Sequence, residues 1–357
     1  MTQINEIQAN NKLYFHPERP CIKAAEFVGR ENLLQHAFGR LGTEDVQSFA
    51  IIGFHREGKT SLVNYIQQPN VVKSYLGESA NEYLFLYLDA QQHLNDEAVF
   101  FEAFYNKINQ YLSPLKKLVD LNEISDWLGK NQRRLILIFD NFNLIITNPN
   151  YSVSFYERLR SWFSTHHQVG CIVTSPVQLL RLAIPVELAG SPFFNIFDAY
   201  GLFPLSVVEA TRLVSERLPT ALQQRTQDII ELIEQFGCNP YCLQQAGAIW
   251  VSRFKEHGEL SFKQTIDEVY QACLPYYEEI YFSLKNKQLE SIAALLNSNN
   301  KTQFKIDNKL IHRGWVSEDR SRIAAAQMES FFRERMGIPK KHSFLQLKRL
   351  MNLMFKK

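Results

Sequence analysis

Ser48-Phe-Ala-Ile-Ile-Gly53-Phe-His-Arg-Glu-Gly58-Lys59-Thr60-Ser61-Leu62 is the stretch that decides the fold of this chain. It consists of a short apolar run, a G-x-x-x-x-G-K-T motif and the apolar start of a helix. Glycines at this spacing let successive backbone N–H groups turn inward onto phosphate oxygens, where a Cβ atom would interfere. The motif therefore predicts a phosphate-binding loop between a strand and a helix.

The side chains of the motif add to this backbone cradle. Lys59 is expected to reach the β- and γ-phosphates, and the Thr60 hydroxyl is placed to ligate Mg²⁺. The helix that begins near Lys59 contributes the positive end of its dipole. The nucleotide-binding residues predicted from this loop are Gly53, His55, Arg56, Glu57, Gly58, Lys59, Thr60 and Ser61.

Length and charge limit the classes of protein to consider. The 357 residues are 45% hydrophobic, which is enough for a substantial core and suggests two or three domains. The net charge of +2 gives no global field that would attract nucleic acid or a membrane. Any basic surface must therefore be local.

The cysteines and the terminal sequence indicate the compartment. The five cysteines are odd in number and scattered, and the close pair Cys238 and Cys242 lacks the second Cys or His pair of a zinc site. The first residues show neither the basic flank nor the apolar core of a signal peptide. No apolar run approaches the roughly 20 residues of a membrane-spanning helix. We therefore expect a cytoplasmic protein without a membrane span.

Apolar runs alternate with helical patterns after residue 48. Unbroken apolar strands separated by helices are typical of a parallel sheet that is covered on both faces. The pattern predicts an α/β fold of the P-loop NTPase class. The four clear runs and a weaker fifth are Phe49–Ile52, Tyr83–Leu88, Leu135–Phe139, Cys171–Val173 and Phe193–Leu205.

From Ser206 the pattern becomes helical, beginning with the capping box Ser206-Val-Val-Glu209. Later helical patterns are followed by two short apolar segments around a charged turn, which suggests a winged helix. The predicted organisation is an extended N-terminal segment at 1–26, a P-loop ATPase core at 27–205, a helical lid at 206–283, a winged-helix domain at 284–338 and a basic amphipathic tail at 339–357.

Asp140 follows the buried strand Leu135–Phe139. A carboxylate at the carboxyl edge of the sheet, beside the phosphate loop, is placed to hold Mg²⁺ through water. The alternative is a plain aspartate at the end of a strand. The presence of the phosphate loop favours the metal role.

Five segments occur in an order that resembles a known family. Together they resemble the STAND-type signal-transduction NTPases of the AAA+ superfamily, nearest to the prokaryotic AAA-like or novel STAND branch. The resemblance spans roughly residues 25–335 and includes a C-terminal winged helix. The segments are Phe27–Glu31, the Gly53–Ser61 loop, Leu135–Phe142, Gly201–Ser206 and Gly237–Leu243.

The resemblance implies the fold and the ligand. It implies an additional-strand, AAA+/STAND-like P-loop core that binds ATP or ADP with Mg²⁺, and the sequence has no N-K-x-D segment of a guanine-binding protein. In the family, the segment matching Val28, Gly29 and Arg30 packs near the adenine and ribose. The position matching Pro204 contacts the base.

Asn141 departs from the family pattern. Related ATPases usually carry a glutamate after the strand-end aspartate, and this glutamate polarises the attacking water. An amide cannot accept the proton of that water. Hydrolysis is therefore expected to be slow or absent, or to depend on a base from elsewhere such as Asp89.

Two hydroxyl residues are candidate phosphate sensors, and three arginines are candidate fingers that would project to a neighbouring subunit. In this fold the strand that ends at Thr174 and Ser175 lies between the P-loop strand and the Asp140 strand, so either hydroxyl is a candidate γ-phosphate sensor. A strand-end cap is the alternative. Candidate arginine fingers, for which solvated surface arginines are the alternative, are Arg158, Arg160 and Arg181.

These features predict an ATP-controlled molecular switch, coupled to a protein effector or to self-assembly, in signalling or defence. One alternative is an AAA+/winged-helix DNA-binding regulator of the origin-recognition or transposition-regulator type. Its candidate helix, Thr302–Leu310, mixes Lys305 and Lys309 with Asp307. A fast ATPase motor is a third possibility.

The basic tail is expected to dock on the body or a partner, or to lie on a membrane surface.

Overall fold

A computed structural model of the chain describes residues 15–92, 94–111, 120–182, 192–257, 262–297 and 306–339. The chain divides into two compact units. One spans His16–Leu205, and the other contains Phe15 and the described residues from Ser206 onward. Most of the predicted N-terminal segment, the start of the predicted helix Thr302–Leu310 and the basic tail from residue 340 lie outside the described residues.

The first unit is built on a parallel sheet of five strands, in the order β2-β3-β4-β1-β5. The first four strands coincide with the predicted apolar runs and extend them by up to two residues at either end. The fifth is shorter than the run that predicted it. The strands are β1 (Phe49–Ile52), β2 (Tyr83–Asp89), β3 (Arg134–Asp140), β4 (Val169–Ser175) and β5 (Asp198–Gly201).

Helices connect these strands. Short 3₁₀ turns at 24–26, 77–82, 179–181 and 192–196 complete the described part of the unit. The helices are α1 (Glu31–Leu41), α2 (Lys59–Ile66), α3 (Pro69–Leu76), α4 (Glu97–Tyr111), α5 (Leu121–Lys130), α6 (Asn143–Ile146) and α7 (Val153–Thr165).

Hydrophobic clusters cover both faces of the sheet. Along β3, Leu135, Leu137 and Phe139 belong to one cluster. The alternate residues Ile136 and Ile138 belong to the other. Because successive side chains of a strand point to opposite faces, an unbroken apolar run is what a strand buried on both sides requires. The buried sheet places the carboxyl ends of all five strands at one edge.

The outer edge of β2 is capped by side chains of α4. Lys107 Nζ donates a hydrogen bond to the Tyr87 carbonyl oxygen at 2.6 Å, and the Tyr111 hydroxyl donates to the Phe85 carbonyl oxygen at 3.2 Å. An edge strand otherwise exposes unpaired carbonyls to other chains. Both side chains therefore protect this edge of the sheet.

The second unit is helical. Its first helix starts with the predicted capping box, in which Ser206 Oγ accepts from the Glu209 amide and Glu209 Oε2 accepts from the Ser206 amide. The helices are α8 (Val207–Ser215), α9 (Thr220–Gln223), α10 (Thr226–Phe236), α11 (Pro240–His257), α12 (Phe262–Ser283), α13 (Asn286–Asn297), α14 (Asn308–His312) and α15 (Ala326–Arg335).

The predicted winged helix stays a prediction. Between α14 and α15 the chain forms one antiparallel bridge, Val316 to Ile323, around the charged turn at 317–322. A single bridge is less than the hairpin of two strands that the sequence suggests, and residues 298–305 are outside the described set.

None of the helices in the described ranges combines the length and apolar content that crossing a membrane requires.

Candidate functional site

The phosphate loop connects β1 to α2, and its two glycines are required for different reasons. A Cβ atom on Gly53 would lie 2.9 Å from both Glu57 Oε2 and Leu202 Cβ, which is closer than real Cβ contacts. At Gly58 there is open space, but its φ of +93° is a conformation that side chains rarely adopt. Gly53 is therefore required because there is no room for a side chain, and Gly58 is required because of its positive φ.

Lys59 and Glu57 shape the interior of this loop. Lys59 is 8% exposed, and its Nζ donates to the carbonyl oxygens of Gly53 at 2.8 Å and Phe54 at 2.9 Å. Glu57 is 3% exposed, and its Oε2 accepts from the Phe54 amide at 2.5 Å. The Lys59 ammonium thus lies inside the loop, and the Glu57 carboxylate links two parts of the loop through its hydrogen bond with the Phe54 amide.

The remaining predicted loop residues differ in exposure. His55 and Arg56 are exposed, and Arg56 has a φ of +61°. Ser61 Oγ accepts a hydrogen bond from the Cys21 amide at 3.0 Å. The Ser61 hydroxyl therefore ties the N-terminal segment to α2, which is a role that its place in the motif did not reveal.

Thr60 and Asp140 lie together, as a magnesium site requires. Thr60 Oγ1 donates to Asp140 Oδ2 at 2.7 Å, although the two residues are far apart in the sequence. Asp140 is completely buried. A hydroxyl and a carboxylate oxygen are ligands that suit Mg²⁺, which usually keeps several waters. These residues fit the ion, and Thr60 and Asp140 are the groups that would hold it.

Two more hydroxyls bind Asp140. The Tyr87 hydroxyl donates to Asp140 Oδ2 at 2.9 Å, and Thr174 Oγ1 donates to Asp140 Oδ1. Burial, and secondly the negative charge of Asp140, raise the pKa of Tyr87, so this phenol remains a proton donor. Tyr87 could not be identified as a site residue from its position in the sequence, because its contact with Asp140 depends on the register between β2 and β3.

Asn141 is held in an unusual backbone conformation, with a φ of +57°. Its amide N–H donates to Thr174 Oγ1 at 2.9 Å, and its side-chain Nδ2 donates to Asp89 Oδ1 at 3.0 Å. Asp89 is the register partner of Asp140 at the carboxyl edge of the sheet. The structure thus brings Asp89, Asn141 and Thr174 around Asp140.

The two predicted sensor hydroxyls are both engaged within the protein. Thr174 is completely buried and bonded to Asp140, as described above. Ser175 Oγ donates to the Val177 carbonyl oxygen at 2.6 Å, and the Ser175 carbonyl accepts from the Gly53 amide at 3.0 Å. Thr174 thus contacts the metal-binding carboxylate, whereas Ser175 contacts the phosphate loop through its backbone.

Arg30 joins the other predicted nucleotide-binding segments. Gly29 and Arg30 have φ angles of +81° and +69°, and Val28 is half-buried. The Arg30 guanidinium donates to the carbonyl oxygens of Phe203, Pro204 at 3.4 Å and Glu57 at 3.5 Å. The segments around Arg30, Pro204 and the phosphate loop are therefore neighbours in the first unit.

The candidate arginine fingers have ordinary surroundings. The Arg158 guanidinium lies 4.4 Å from the centre of the Phe101 ring and donates to the Tyr105 hydroxyl at 3.4 Å. Arg160 and Arg181 are exposed. The Arg158 contacts are those of a surface cation stacked on an aromatic ring.

Comparisons with known proteins bear on the family and the fold of the chain. The family described as Novel STAND NTPase 2 matches residues 37–274, and no curated protein matches the chain. The Walker-type ATPase PABY2304 of Pyrococcus abyssi is similar in structure, with a TM-score of 0.57 and 15% identity over 90% of this chain and 100% of that chain.

The Aeropyrum pernix ORC2 protein is also similar. Its ADPNP–ADP complexes match with a TM-score of 0.57 and 13% identity, and its ADP form with 0.54 and 14%. Both cover 97% of this chain and 89% of that chain. At such identities the likeness shows the fold alone, and it confirms the predicted α/β fold of a P-loop ATPase. The family match covers more than half of the sequence, so this chain belongs to the novel STAND NTPases.

Proposed function

We propose that the chain is an ATP-binding switch with slow intrinsic hydrolysis, in which the bound nucleotide controls contact with an effector protein or with further copies of the chain. The observation that carries this proposal is the amide at residue 141. Asn141 follows the metal-binding Asp140, and its side chain acts as a hydrogen-bond donor to Asp89. An amide in this place cannot accept a proton from water.

Several features support ATP with Mg²⁺ as the ligand. The phosphate loop has the glycine at positive φ and the buried lysine that a triphosphate requires, and Thr60 and Asp140 fit the metal. When bound, the ion would neutralise phosphate charge. The Aeropyrum pernix ORC2 protein, which has a similar fold, is described in complex with ADPNP and ADP. We assign the same class of ligand to this chain.

The proposed roles of the site residues follow from their positions. Lys59 and the loop amides bind the phosphates, and Arg30 and Pro204 belong to the segments proposed to surround the base and ribose. Thr174 couples the metal-binding carboxylate to Asn141. We place this function in the cytoplasm, because all five cysteines lie within the described residues and form no disulfide there.

Size-exclusion chromatography with light scattering tests the switch. The purified chain is run without nucleotide, with ADP, with ATP and with a non-hydrolysable ATP analogue, each with Mg²⁺. We expect ATP and the analogue to give the same change in elution or mass, and ADP to give a different one. The Lys59→Ala variant should not respond. Identical profiles in all four conditions, with nucleotide binding established separately, would contradict the switch.

Turnover separates the switch from a motor. Steady-state ATP hydrolysis well above one per second, lost in Lys59→Ala, would identify a working ATPase instead. We expect turnover well below this value, because no carboxylate follows Asp140.

DNA binding is the alternative function, and the charged turn gives it little support. The turn at 317–322 holds Glu318 and Asp319 together with Arg320 and Arg322, so its formal charges cancel. A surface that binds DNA phosphates is expected to be predominantly basic. A gel-shift titration with duplex DNA at low and high salt tests this alternative. If the protein does not retard the DNA at low salt, DNA binding is excluded.

A further inference from the structure

We propose that Asp89 accepts the proton of the attacking water during ATP hydrolysis, and that Asn141 holds Asp89 in place for this step. The inference rests on the proposed function, because it requires that the phosphate loop binds a nucleoside triphosphate. The inference attributes the slow hydrolysis to a carboxylate on β2, because the residue that follows Asp140 is an amide and cannot act as the base.

The position of Asp89 places a carboxylate at the correct edge of the sheet. Asp89 is the last residue of β2 and pairs in register with Asp140, the last residue of β3. Asp140 in turn bonds Thr60 of the phosphate loop at 2.7 Å. Asp89 is half-buried, whereas Asp140 is completely buried. A general base must meet water, and of these two carboxylates Asp89 is the accessible one.

Hydrogen bonds orient one oxygen of Asp89. Asp89 Oδ1 accepts from Asn141 Nδ2 at 3.0 Å and from the Gln91 amide at 3.0 Å. Within the described ranges of the chain, no hydrogen bond to Asp89 Oδ2 is present. A carboxylate with one oxygen fixed and one open is suitably arranged to accept a proton.

Asn141 is itself fixed to the metal-binding residues. Its backbone amide donates to Thr174 Oγ1 at 2.9 Å, and Thr174 Oγ1 donates to Asp140. Its positive φ is tolerated by asparagine and aspartate better than by most residues. The amide that reaches Asp89 is thus coupled to Asp140 through two hydrogen bonds. Asn141 is a positioning residue in this arrangement.

Lys107 supplies a positive charge on the same side. Its Nζ is bonded to the Tyr87 carbonyl oxygen at 2.6 Å, two residues before Asp89. Burial lowers the pKa of Lys107, and attraction to Asp89 opposes this effect. The Lys107 ammonium therefore lies close to the end of β2 that carries Asp89.

The proposed step balances as follows. The water oxygen forms a bond to the γ-phosphorus, and the bond between that phosphorus and the bridging oxygen breaks, with its electron pair remaining on the β-phosphate of ADP. One water proton passes to Asp89 Oδ2, and the other stays on the phosphate formed. Asp89 then releases its proton to solvent, which restores the carboxylate.

The first test removes the charge of Asp89 and keeps its shape. In Asp89→Asn we expect the turnover number to fall by about 100-fold, which is within the usual contribution of a general base. The dissociation constant for a fluorescent ATP analogue with Mg²⁺ should stay within about twofold. Asp45→Asn, an exposed aspartate before β1, is the matched control and should leave both quantities unchanged.

The second test exchanges the two side chains. Asn141→Asp alone places two carboxylates side by side and should not raise turnover more than about twofold, because like charges oppose ionisation of both. The double variant Asp89→Asn with Asn141→Asp restores one carboxylate and one amide. We expect the turnover number of the double variant to be at least about tenfold higher than that of Asp89→Asn, because the carboxylate again has an amide partner.

Defined results overturn the inference. The inference is wrong if Asp89→Asn retains the wild-type turnover number, or if the variant binds nucleotide more weakly without a fall in turnover number. It is also wrong if the double variant is no faster than Asp89→Asn. It is also wrong if the wild-type chain hydrolyses no faster than Lys59→Ala. None of these results removes a nucleotide-dependent elution change, so the switch is judged separately. An absence of ATP binding would remove the proposed function itself.

Discussion

Asp140 is a buried carboxylate whose charge is satisfied by hydroxyl groups. Thr60 and Tyr87 donate to one oxygen, at 2.7 and 2.9 Å, and Thr174 donates to the other. A buried charge is stable only when it is paired or hydrogen-bonded. The three hydroxyls therefore stabilise the site when no cation is bound, and a cation would share their role.

Removing the Tyr87 hydroxyl tests this account. We expect Tyr87→Phe to lower the free energy of unfolding by about 1.5–3 kcal/mol without Mg²⁺, as for a hydrogen bond to a charged group. Urea denaturation with EDTA and with Mg²⁺–ATP measures the effect, which should shrink when the ion is present. The control is Tyr105→Phe, whose hydroxyl has a 3.4 Å contact with Arg158 at the surface. Equal losses in both variants would contradict the account.

A residue of the phosphate loop gives a second prediction. In Gly53→Ala the new methyl group would lie 2.9 Å from Glu57 Oε2 and Leu202 Cβ. We expect at least about tenfold weaker ATP binding and a stability loss of about 1–3 kcal/mol, as for overpacking. The control is Gly39→Ala in α1, where a Cβ meets nothing within 4 Å. This control should leave ATP binding unchanged, and a tight-binding Gly53→Ala would refute the prediction.

At the scale of elements, the segment before α1 is attached to the helix that follows the phosphate loop. The Cys21 amide donates to Ser61 Oγ at 3.0 Å, and Asn64 Nδ2 donates to the Cys21 carbonyl at 3.1 Å. Phe27 stacks on Tyr65 at 4.4 Å between ring centres. These contacts hold the N-terminal segment along α2.

Within this segment, Arg19 and Glu26 form an ion pair that makes stability depend on pH. The hydrogen bonds from Arg19 lower the pKa of Glu26 to about 2, against an ordinary value of 4.5. A lowered pKa stabilises the folded state above pH 4.5, and this contribution is lost as the pH falls from 4.5 towards 2. The pair is partly exposed, so we expect about 1 kcal/mol.

Glu26→Gln tests the ion pair. The variant should be less stable than the wild type at pH 7, and the difference should diminish below pH 4.5. Urea denaturation at pH 7, 4 and 3 provides the measurement. Glu44→Gln, an exposed glutamate, serves as the control. A difference that is the same at every pH would show that the ion pair is not its source.

At the scale of the whole molecule, a ligand of the first unit should stabilise that unit. Binding to the folded state alone adds about 2.7 kcal/mol when the ligand is at 100 times its dissociation constant. We expect ATP with Mg²⁺ to raise the melting temperature of the wild type and of Lys73→Ala, an exposed lysine on α3. Lys59→Ala should show no increase, and EDTA should reduce the effect in the wild type. A similar rise in Lys59→Ala would place binding elsewhere.

Much of the fold was predictable because its signals are local. The apolar runs located the first four strands of the parallel sheet, since a strand buried on both faces must be apolar throughout. The capping box at Ser206 marked the start of α8. The fifth strand, Asp198–Gly201, was located only roughly, because its residues are more exposed than those of the central strands.

The site was predictable in part. The motif placed Gly53, Lys59 and Thr60 in one loop, and a strand-end position singled out Asp140. Tyr87 could not be found in this way, because its contact with Asp140 depends on the register of two strands. Its spacing within the sequence carries no such information.

The sequence by itself determined the class of this protein, because a phosphate loop and unbroken apolar strands are local patterns with a direct physical cause. It also showed that residue 141 has an amide. Only the tertiary structure decided which carboxylate that amide contacts. Asp89 and Asn141 are separated by 52 positions, and their 3.0 Å hydrogen bond exists because β2 and β3 pair in parallel register.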